Sequence, residues 1–486
     1  MQVITNHSPR FYFFSAVILC FLFFLAFSTL SVIRHEHYQS FGYDLGINDQ
    51  TVWLYSKFKS PVDTIDPYPD KPKLYEHVEL IYAIISPIYW IWDARRMLLI
   101  FRCLVVATSG IPIYLLARHR KLSYPVSFAA LFGYLGFYGI QNAIWFDVHS
   151  ISFGAAFLSW LFYFLERKQI KISLLFFFLA ITSKENIAFI TLFISFVYFI
   201  RWRNKFSILL IVLSAAYLCF IFFVYFPHII HFEYLYANKE GLLSNLNPLD
   251  LFNTQEKLVT LFYSIFSFGF LPFLTPVALI PAFADLATYF VLGSDLPGAQ
   301  GLYMHYRITL APLMSFATIL TLSKYKKLNS KYTALYLVAC TVFIQYNLHL
   351  PLSYLTKQWF WTTPASVPNI QKAITDYLPP TASVTAQNNI IPHISHREQV
   401  YSLYPMKKQF DKNSPCGKPE CNWFNWYDHP EFLLVDLSSD WDIRHLLIDN
   451  ADFKDGIYNL EKAGIIQLDK QVGKTMLFKV LKSPNS

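Results

Sequence analysis

The sequence predicts a mainly α-helical fold, a polytopic transmembrane helix bundle followed by a small extracytoplasmic α/β domain. Of its 486 residues, 54% are hydrophobic and only 15% are charged, whereas about a quarter of the residues in soluble domains are charged. Apolar runs recur between residues 11 and 350, and several have the ~20 residues that cross a bilayer. Residues 365–486 instead contain Pro, Asn, Asp and Lys at frequencies typical of soluble proteins. We therefore expect a transmembrane domain over residues 1–360 and a soluble domain over residues 365–486.

The first predicted span covers residues 11–33, FYFFSAVILCFLFFLAFSTLSVI. This run is too long and too bulky for a cleaved signal peptide, so we expect an uncleaved helix. Further apolar runs bring the predicted number of spans to eleven. They lie at residues 97–117, 124–141, 151–165, 172–184, 186–200, 206–227, 257–272, 274–292, 307–323 and 332–350.

The positions of Lys and Arg decide the predicted orientation. The net charge of +8 would suit nucleic acid, but the basic residues lie in short clusters at the ends of apolar runs, so no nucleic-acid partner is expected. With a cytoplasmic N-terminus, every cluster falls on the cytoplasmic side, as the positive-inside rule requires. The clusters lie at residues 118–121, 167–171, 201–205 and 324–331. The C-terminal domain is then extracytoplasmic.

Residues 78–92, VELIYAIISPIYWIW, are apolar but short, and Pro87 interrupts them. Counting them as a span would place all four basic clusters outside the cell. We therefore predict an interfacial or re-entrant helix, with its Tyr and Trp side chains at the level of the lipid headgroups. The first external loop then covers residues 34–95.

The apolar stretch between residues 172 and 200 is read as a hairpin of two short spans, with Lys184 and Glu185 at its turn. Short spans can tilt or thin the bilayer locally. A single helix of 29 residues is the alternative, but it would place Lys171 and Arg201 on opposite sides of the membrane. The charge rule favours the hairpin.

Ionisable residues close to a membrane are costly, so they are candidates for function. By the predicted topology, five such groups lie at the outer face. They are Asp44 and Asp49 in FGYDLGINDQTVW, His77 in YEHVEL, Asp147 and His149 in IWFDVHS, Lys184 and Glu185 in TSKEN, and His305 and Arg307 in MHYR.

These residue types are suited to a reaction whose leaving group is a phosphate. A carboxylate can take a proton from an acceptor hydroxyl or amine, and a Lys or Arg can bind a lipid phosphate. Structural roles are the alternatives: helix capping or turn formation for Asp44 and Asp49, an ordinary polar loop for Asp147 and His149, a local ion pair for Lys184 and Glu185, and interfacial anchoring for His305 and Arg307. No cofactor is predicted. A divalent metal stays open, although no H-E-x-x-H spacing is present.

At these residues the sequence resembles a family of predicted bacterial membrane proteins defined as a domain of unknown function. The family has an F-D-L-G-I-x-D-Q-x-x-W-like loop after its first span, here YDLGINDQTVW. The resemblance covers residues 11–405 and implies a location in the bacterial cytoplasmic (inner) membrane. Further similar segments are HVELIYAIISPIYWIW, WFDVHSISFGAAFL, ITSKENIAFI and MHYRITLAP.

That family resembles, more distantly, the C-type glycosyltransferases, which transfer a sugar from a polyprenyl-phosphate carrier outside the cytoplasmic membrane. The resemblance implies that an acidic residue in the first external loop acts as general base or binds the acceptor. This role would fall to Asp44, with Asp49 as second candidate. The implied partners are a polyprenyl-phosphate-linked sugar donor and membrane lipid, and the donor phosphate would meet Lys184 or Arg307.

The C-terminal domain is predicted to be α/β. Residues 383–405 are typical of a strand, a short helix and a second strand, and EFLLVDL at 431–437 of a buried strand. The segment from residue 459 to 480 indicates a helix followed by two strands. Cys416 and Cys421 lack a second Cys or His pair for zinc, so a local disulfide is favoured if the domain is extracytoplasmic. Acceptor recognition and a structural lid are both open for this domain.

The favoured function is therefore a membrane glycosyltransferase that uses a polyprenyl-phosphate sugar. A transporter or flippase of lipid-linked material is the first alternative, and the break at TSKEN is compatible with one. A membrane scaffold without enzymatic activity is the second. The sequence indicates neither the donor sugar, the acceptor nor the oligomeric state.

Overall fold

The computed structural model describes residues 9–66, 73–232, 234, 248–291, 298–410, 414–438 and 449–484. The chain forms two compact units. The first consists of Met1–Ser31, Leu74–Ile81 and Leu99–Lys357, and the second of Val32–Lys73, Tyr82–Leu98 and Gln358–Ser486. The second unit thus combines the loop after the first helix with the C-terminal segment.

Helices make up most of the described chain. In order, the α-helices are α1 (Pro9–Glu36), α2 (Ile47–Ser56), α3 (Ile81–Ile85), α4 (Ile88–Ile91), α5 (Arg96–Thr108), α6 (Gly110–His119), α7 (Tyr124–Leu135), α8 (Tyr138–Trp145), α9 (Ile151–Glu166), α10 (Ile170–Ile181), α11 (Glu185–Trp202), α12 (Lys205–Phe220), α13 (Gln255–Phe266), α14 (Ile280–Phe290), α15 (Leu310–Lys324), α16 (Lys331–Asn347), α17 (Gln358–Trp361), α18 (Val367–Lys372) and α19 (Asn450–Lys462). The π-helical segments are Gly42–Gly46, Ile221–Ile230 and Ala373–Tyr377. Short 3-10 turns lie at Lys73–Tyr75, Pro248–Leu251, Leu271–Leu274, Pro276–Leu279, Lys326–Leu328, Pro351–Thr356 and Ile391–His393.

Among the described residues, four helices are long and apolar enough to cross a membrane. They are Arg10–Glu36, Arg96–His119, Glu185–Trp202 and Lys205–Ile230. Each of the other predicted spans also overlaps a helix, but those helices are shorter. The mainly helical class is confirmed, whereas the number of eleven spans stays a prediction.

The surfaces of these helices suit a membrane environment. α1 directs large apolar side chains outward, including those of Phe14, Ile18 and Phe21, which would be costly in water. α15 is instead buried from Leu310 to Leu322, and an apolar helix buried on all sides belongs to the core of a bundle. Phe316 of α15 stacks on Phe162 of α9 with ring centroids 4.2 Å apart.

The predicted break near Lys184 separates two helices. α10 ends at Ile181 and α11 begins at Glu185, and Lys184 between them has an extended backbone. The hydroxyl of Ser183 donates to the carbonyl of Leu179 at 2.9 Å, so the last turn of α10 is closed by a side chain. The alternative of one continuous helix over residues 172–200 is therefore wrong.

The ambiguous segment 78–92 forms two short helices, α3 and α4, separated by Ser86 and Pro87. Together, Ile81–Ile91 cover 11 residues, or about 16 Å at 1.5 Å per residue. This length is short of the ~30 Å hydrocarbon core. Trp90 and Ile91 are exposed, as expected for a helix that lies in the interface.

The described part of the second unit contains seven strands, five of which form one mixed sheet while the other two form a hairpin. The strands are β1 (Val384–Ala386), β2 (Val400–Ser402), β3 (Tyr404–Gln409), β4 (Glu420–Asn425), β5 (Phe432–Asp436), β6 (Ile466–Val472) and β7 (Thr475–Val480). The sheet order is β2-β1-β5-β7-β6, with β1 parallel to β2 and β5, and β7 antiparallel to β5 and β6. β3 and β4 form a separate antiparallel hairpin. The small C-terminal sheet region is confirmed, and this hairpin is the element that the sequence did not indicate.

A disulfide closes the end of the β3–β4 hairpin. Cys416 and Cys421 are bonded, with their Cα atoms 5.9 Å apart. The hairpin carries Trp423 and Phe424 into the core of the second unit. α19 packs against it through Gly456, where a Cβ atom would lie 2.6 Å from the ring of Phe424.

Two glycines let the first external loop approach the C-terminal segment closely. A Cβ atom on Gly42 would lie 2.8 Å from Ile391 Cδ1, and one on Gly46 would lie 2.9 Å from Ile391 Cγ2. The N–H group of Gly42 donates to the carbonyl of Asn388 at 2.7 Å. The segment GYDLG, residues 42–46, therefore needs glycine on both sides of Asp44 because side chains would clash with Ile391.

Candidate functional site

The two aspartates predicted to act in catalysis, Asp44 and Asp49, belong to the second unit, and they differ in burial. Asp44 lies on the π-helical segment Gly42–Gly46 and keeps part of its side chain exposed. Asp49 lies in the first turn of α2 and is completely buried. Of these two carboxylates, that of Asp44 is partly accessible and that of Asp49 is enclosed.

Asp49 is held by groups from two other segments of the second unit. Its Oδ1 accepts a hydrogen bond from the Tyr89 hydroxyl, and its Oδ2 accepts one from the Ser395 hydroxyl at 2.5 Å. His396 Nε2 lies 3.2 Å from Oδ2, at ion-pair distance. Both oxygens are thus occupied by the protein itself, which favours a structural role for Asp49.

His396 lies between two carboxylates. Its Nδ1 is 2.8 Å from Asp93 Oδ1, and Lys57 Nζ is 2.8 Å from Asp93 Oδ2. Burial alone would lower the pKa of His396, but Asp49 and Asp93 outweigh burial and raise that pKa. The hydrogen bond from His396 in turn holds the pKa of Asp93 well below its usual range. Sequence reasoning missed Tyr89, Asp93 and His396.

The remaining candidates belong to the first unit, where Glu185 binds His77. Glu185 Oε1 lies 2.7 Å from His77 Nδ1 and accepts a hydrogen bond from the Tyr234 hydroxyl, also at 2.7 Å. Glu185 Oε2 accepts from the backbone N–H of Val78 at 3.2 Å. Both carboxylate oxygens are occupied, and the carboxylate is buried at the first residue of α11, where the helix dipole favours an anion.

His149 and His305 form a stacked pair in the same unit. Their ring centroids are 3.6 Å apart with 14° between the planes, and Phe146 stacks beside both rings. Burial lowers the pKa of His305 well below its usual range, and neighbouring basic groups lower it further. These groups are His149, Lys184, His77 and Arg307. The stacked rings of His149 and His305 therefore lie among basic groups that act electrostatically on His305.

Arg307 is completely buried, and only some of its hydrogen-bond donors have a partner among the described residues. Its Nη2 donates to the carbonyl of Ala299, and its guanidinium lies over the rings of Tyr289 and Phe290 at 4.7 and 5.3 Å. Nε and Nη1 of Arg307 have no hydrogen-bond partner among the described residues. A buried guanidinium with unused donors is suited to bind an anion.

Lys184 supplies a second cation at the break between α10 and α11. Its side chain is half-buried, and no hydrogen bond or ion pair joins its ammonium group to the described part of the chain. Its charge acts on Glu185 and on His305. The extended backbone at this residue therefore places an ammonium group close to the histidines.

Asp147 is positioned through its backbone. Arg102, also buried, donates to the carbonyl of Asp147 at 2.6 Å and to the carbonyl of Ile144 at 2.6 Å. The carbonyl of Ile144 lies in the last turn of α8 and that of Asp147 just beyond its end, where a cation stabilises the free acceptors. Arg102 is a further residue that sequence reasoning missed, because it lies inside an apolar run.

The structure thus brings six of the predicted residues together in the first unit and places Asp44 and Asp49 in the second. The six are His77, His149, Lys184, Glu185, His305 and Arg307. Among the residues that the structure describes, no group of three His, Cys, Asp or Glu side chains is arranged to hold a metal ion. Among the described residues of the first unit, the six predicted residues thus form a basic, histidine-rich cluster.

A solved structure shares the fold of this chain. ArnT from Cupriavidus metallidurans, whose structure contains bound undecaprenyl phosphate, matches with a TM-score of 0.57 over 98% of this chain and 99% of its own. The two sequences are 11% identical, so the likeness concerns the fold. The distant resemblance to the C-type glycosyltransferase fold is therefore confirmed. No curated protein matches the sequence.

A family profile, described as "Predicted membrane protein (DUF2079)", matches residues 34–450. This range includes the acidic loop, the basic cluster and three of the five strands of the C-terminal sheet, β1, β2 and β5. The resemblance inferred from the five motifs is confirmed, and the chain belongs to the DUF2079 family of predicted membrane proteins.

Proposed function

We propose that the protein is a membrane glycosyltransferase that takes a sugar from a polyprenyl-phosphate carrier and transfers it to an extracytoplasmic acceptor. The fold shared with ArnT, which binds undecaprenyl phosphate, supports a polyprenyl-linked lipid as partner. The observation that carries the proposal is the basic cluster of the first unit, and above all the unused donors of the buried Arg307. The buried carboxylate of Asp285 acts electrostatically with Arg307, and the two remaining guanidinium donors, Nε and Nη1, are suited to bind an additional anion.

In this proposal Lys184 and Arg307 bind the donor phosphate and stabilise the charge that it gains as the bond to the sugar breaks. Phosphate oxygens match the planar, multiply donating guanidinium of Arg307. Asp44 takes the proton from the acceptor hydroxyl or amine. The partial exposure of Asp44 supports its choice over Asp49, whose oxygens are occupied by Tyr89 and Ser395.

The proposal is tested in a bacterial strain that lacks this protein and is complemented with variants. We expect Asp44→Asn and Arg307→Gln to reproduce the envelope-glycan or glycoprotein change of the deletion, because each removes a group required for transfer. Asp376→Asn is the matched control, since Asp376 is exposed and pairs only with neighbouring residues of its own helical segment. Glycans that are unchanged in the deletion strain, together with lipid-linked intermediates that accumulate on the inner leaflet, would favour a flippase instead.

A further inference from the structure

Asp285 is a completely buried carboxylate on α14, a predominantly apolar helix. Its Oδ1 accepts a hydrogen bond from the Thr309 hydroxyl at 2.7 Å, whereas its Oδ2 has no hydrogen-bond partner among the described residues. A carboxylate oxygen that is buried without a donor costs free energy, and ionisable residues in apolar membrane helices usually have a function. Oδ2 of Asp285 is therefore suited to accept a hydrogen bond from a ligand.

Asp285 belongs to the same site as Arg307. Arg307 acts electrostatically on Asp285, and Thr309, which binds Asp285, lies close to Arg307 in sequence. Tyr289 follows Asp285 by one turn of α14, and its ring centroid lies 4.7 Å from the guanidinium of Arg307. In the described part of the chain, no hydrogen bond joins Asp285 to Arg307. An acceptor and two donors without partners thus lie in one buried site.

Asn186 of α11 adds a second acceptor to this site. Its Nδ2 donates a hydrogen bond to the Tyr289 hydroxyl at 2.9 Å, and its Oδ1 is buried with no hydrogen-bond partner among the described residues. Glu185, the preceding residue, differs because both of its carboxylate oxygens accept hydrogen bonds from the protein. Asn186 is therefore better placed than Glu185 to accept a hydrogen bond from a ligand.

The groups that lack partners among the described residues are of two chemical kinds. Nε and Nη1 of Arg307 donate hydrogen bonds, whereas Oδ2 of Asp285 and Oδ1 of Asn186 accept them. The ionised oxygens of a phosphate diester accept hydrogen bonds, so they match Arg307 and not Asp285. A sugar hydroxyl donates a hydrogen bond, so it matches Asp285 and Asn186. A sugar joined to a phosphate supplies both kinds of partner.

We propose that Asp285 and Asn186 accept hydrogen bonds from hydroxyl groups of the donor sugar, while Arg307 binds the phosphate that carries this sugar. This inference rests on the proposed function and places the sugar of the donor between α11 and α14. As the sugar C1–O bond to phosphate breaks, its electron pair stays on the phosphate oxygen, and C1 bonds to the acceptor. The acceptor proton goes to the general base, so Asp285 and Asn186 exchange no proton and determine which sugar binds.

Binding to the purified full-length protein tests the inference with two kinds of ligand. One is a short-chain polyprenyl methyl phosphate, and the other is the same phosphate diester with a sugar in place of the methyl group. Both have the same charge, so their affinities differ only through the sugar. The sugars are glucose, galactose, mannose, N-acetylglucosamine and xylose. We expect at least one of them to bind the wild type about 10-fold more tightly than the methyl phosphate, the usual effect of a hydrogen bond to a charged group.

The variants should change this gain in affinity and not the binding of the phosphate. Asp285→Asn should remove most of the gain, and it should bind the methyl phosphate at least as tightly as the wild type, because a negative charge beside Arg307 is lost. Asn186→Ala should reduce the gain by ~5-fold, since a neutral hydrogen bond is weaker than a charged one. Asn186 is half-buried, so this variant keeps the test valid if Asp285→Asn does not fold. Asp376→Asn, at an exposed ion pair, is the matched control and should keep both affinities.

The outcomes separate the inference from the proposed function. Equal losses for both kinds of ligand in the two variants would show that these side chains only support Arg307. An unchanged gain in both variants, or no gain from any sugar in a wild type that binds the methyl phosphate, would show that Asp285 and Asn186 do not bind the sugar. Each of these results overturns the inference and leaves the proposed function standing. A wild type that binds neither ligand would overturn both.

Discussion

At the scale of single residues, the two aspartates of the first external loop have different environments although only four residues separate them. Asp44 lies on a π-helical segment with part of its side chain exposed, whereas Asp49 is enclosed by Tyr89, Ser395 and His396. The sequence predicted that both could act in catalysis. The distinction between them depends on partners more than 300 positions away, such as Ser395, which no local pattern reveals.

Replacing Asp49 should therefore destabilise the second unit. In Asp49→Asn the buried His396 loses one of its two charge partners and keeps Asp93, and removal of one member of a buried ion pair costs about 3 kcal/mol. Chemical unfolding of the purified protein, followed by tryptophan fluorescence, measures the change. Asp376→Asn, at an exposed ion pair, should leave the transition in place. An unfolding curve of Asp49→Asn that matches the wild type would contradict the structural role.

We expect the second unit to become less stable at alkaline pH, because His396 then loses the charge that binds it to Asp49 and Asp93. The pKa of His396 is raised in the folded protein, so its contribution is complete below the unfolded value of about 6.5 and is lost as the pH rises through the folded value. The pKa of Asp93 is lowered, so its contribution is present above an unfolded value of about 3.9 and is lost only in stronger acid. Both contributions are complete between about pH 4 and about pH 6.5.

Hydrogen exchange, corrected for the intrinsic pH effect, measures this dependence in peptides that contain Asp49 and Ser395. Protection in the wild type should decrease between pH 6 and pH 8.5, and in His396→Gln it should change little over that range. A decrease of equal size in both proteins would assign the pH effect to another group.

At the scale of elements, the sequence predicted most helices and most strands of the described chain. Strands of the five-stranded sheet coincide with apolar runs such as EFLLVDL. The helix break at Lys184 was predicted from the positions of the flanking basic residues. β3 was missed because YPMKKQ contains proline and lysine and lies largely on the surface, so it lacks the alternation that marks a half-buried strand. His396, Tyr89 and Tyr234 were missed for a different reason, since only tertiary packing brings them to their carboxylates.

The close approach at Gly46 predicts a specific coupling. Gly46→Ala should destabilise the second unit by about 1–3 kcal/mol, because the added methyl group meets Ile391 Cγ2. Ile391→Leu removes that γ-methyl group, so the double variant should be more stable than the sum of the single changes predicts. Gly133→Ala, where the nearest atom would be 3.5 Å away, is the control. Additive effects in the double-mutant cycle would show that the two residues do not meet.

At the scale of the whole molecule, the orientation in the membrane stays a prediction from charge. We expect a membrane-impermeant maleimide to label Ser60→Cys and Lys470→Cys in intact spheroplasts, in a background that lacks the free cysteines Cys20, Cys103, Cys219 and Cys340. Both positions are exposed. Lys326→Cys, also exposed and predicted to be cytoplasmic, should react only after permeabilisation. Labelling of Ser60→Cys from the cytoplasm alone would invert the predicted topology.

The discontinuous second unit has a consequence for how the protein is made. Its first segment, Val32–Lys73, emerges from the ribosome long before its last, Gln358–Ser486. Ile47 and Ile65 share a buried cluster with residues such as Ile391 and Val400, so they remain without their final neighbours until synthesis is almost finished. Contacts over such distances form slowly, and the waiting apolar surface is prone to aggregate. Biogenesis of this protein should therefore depend on envelope chaperones that shield the first loop while the intervening helices insert.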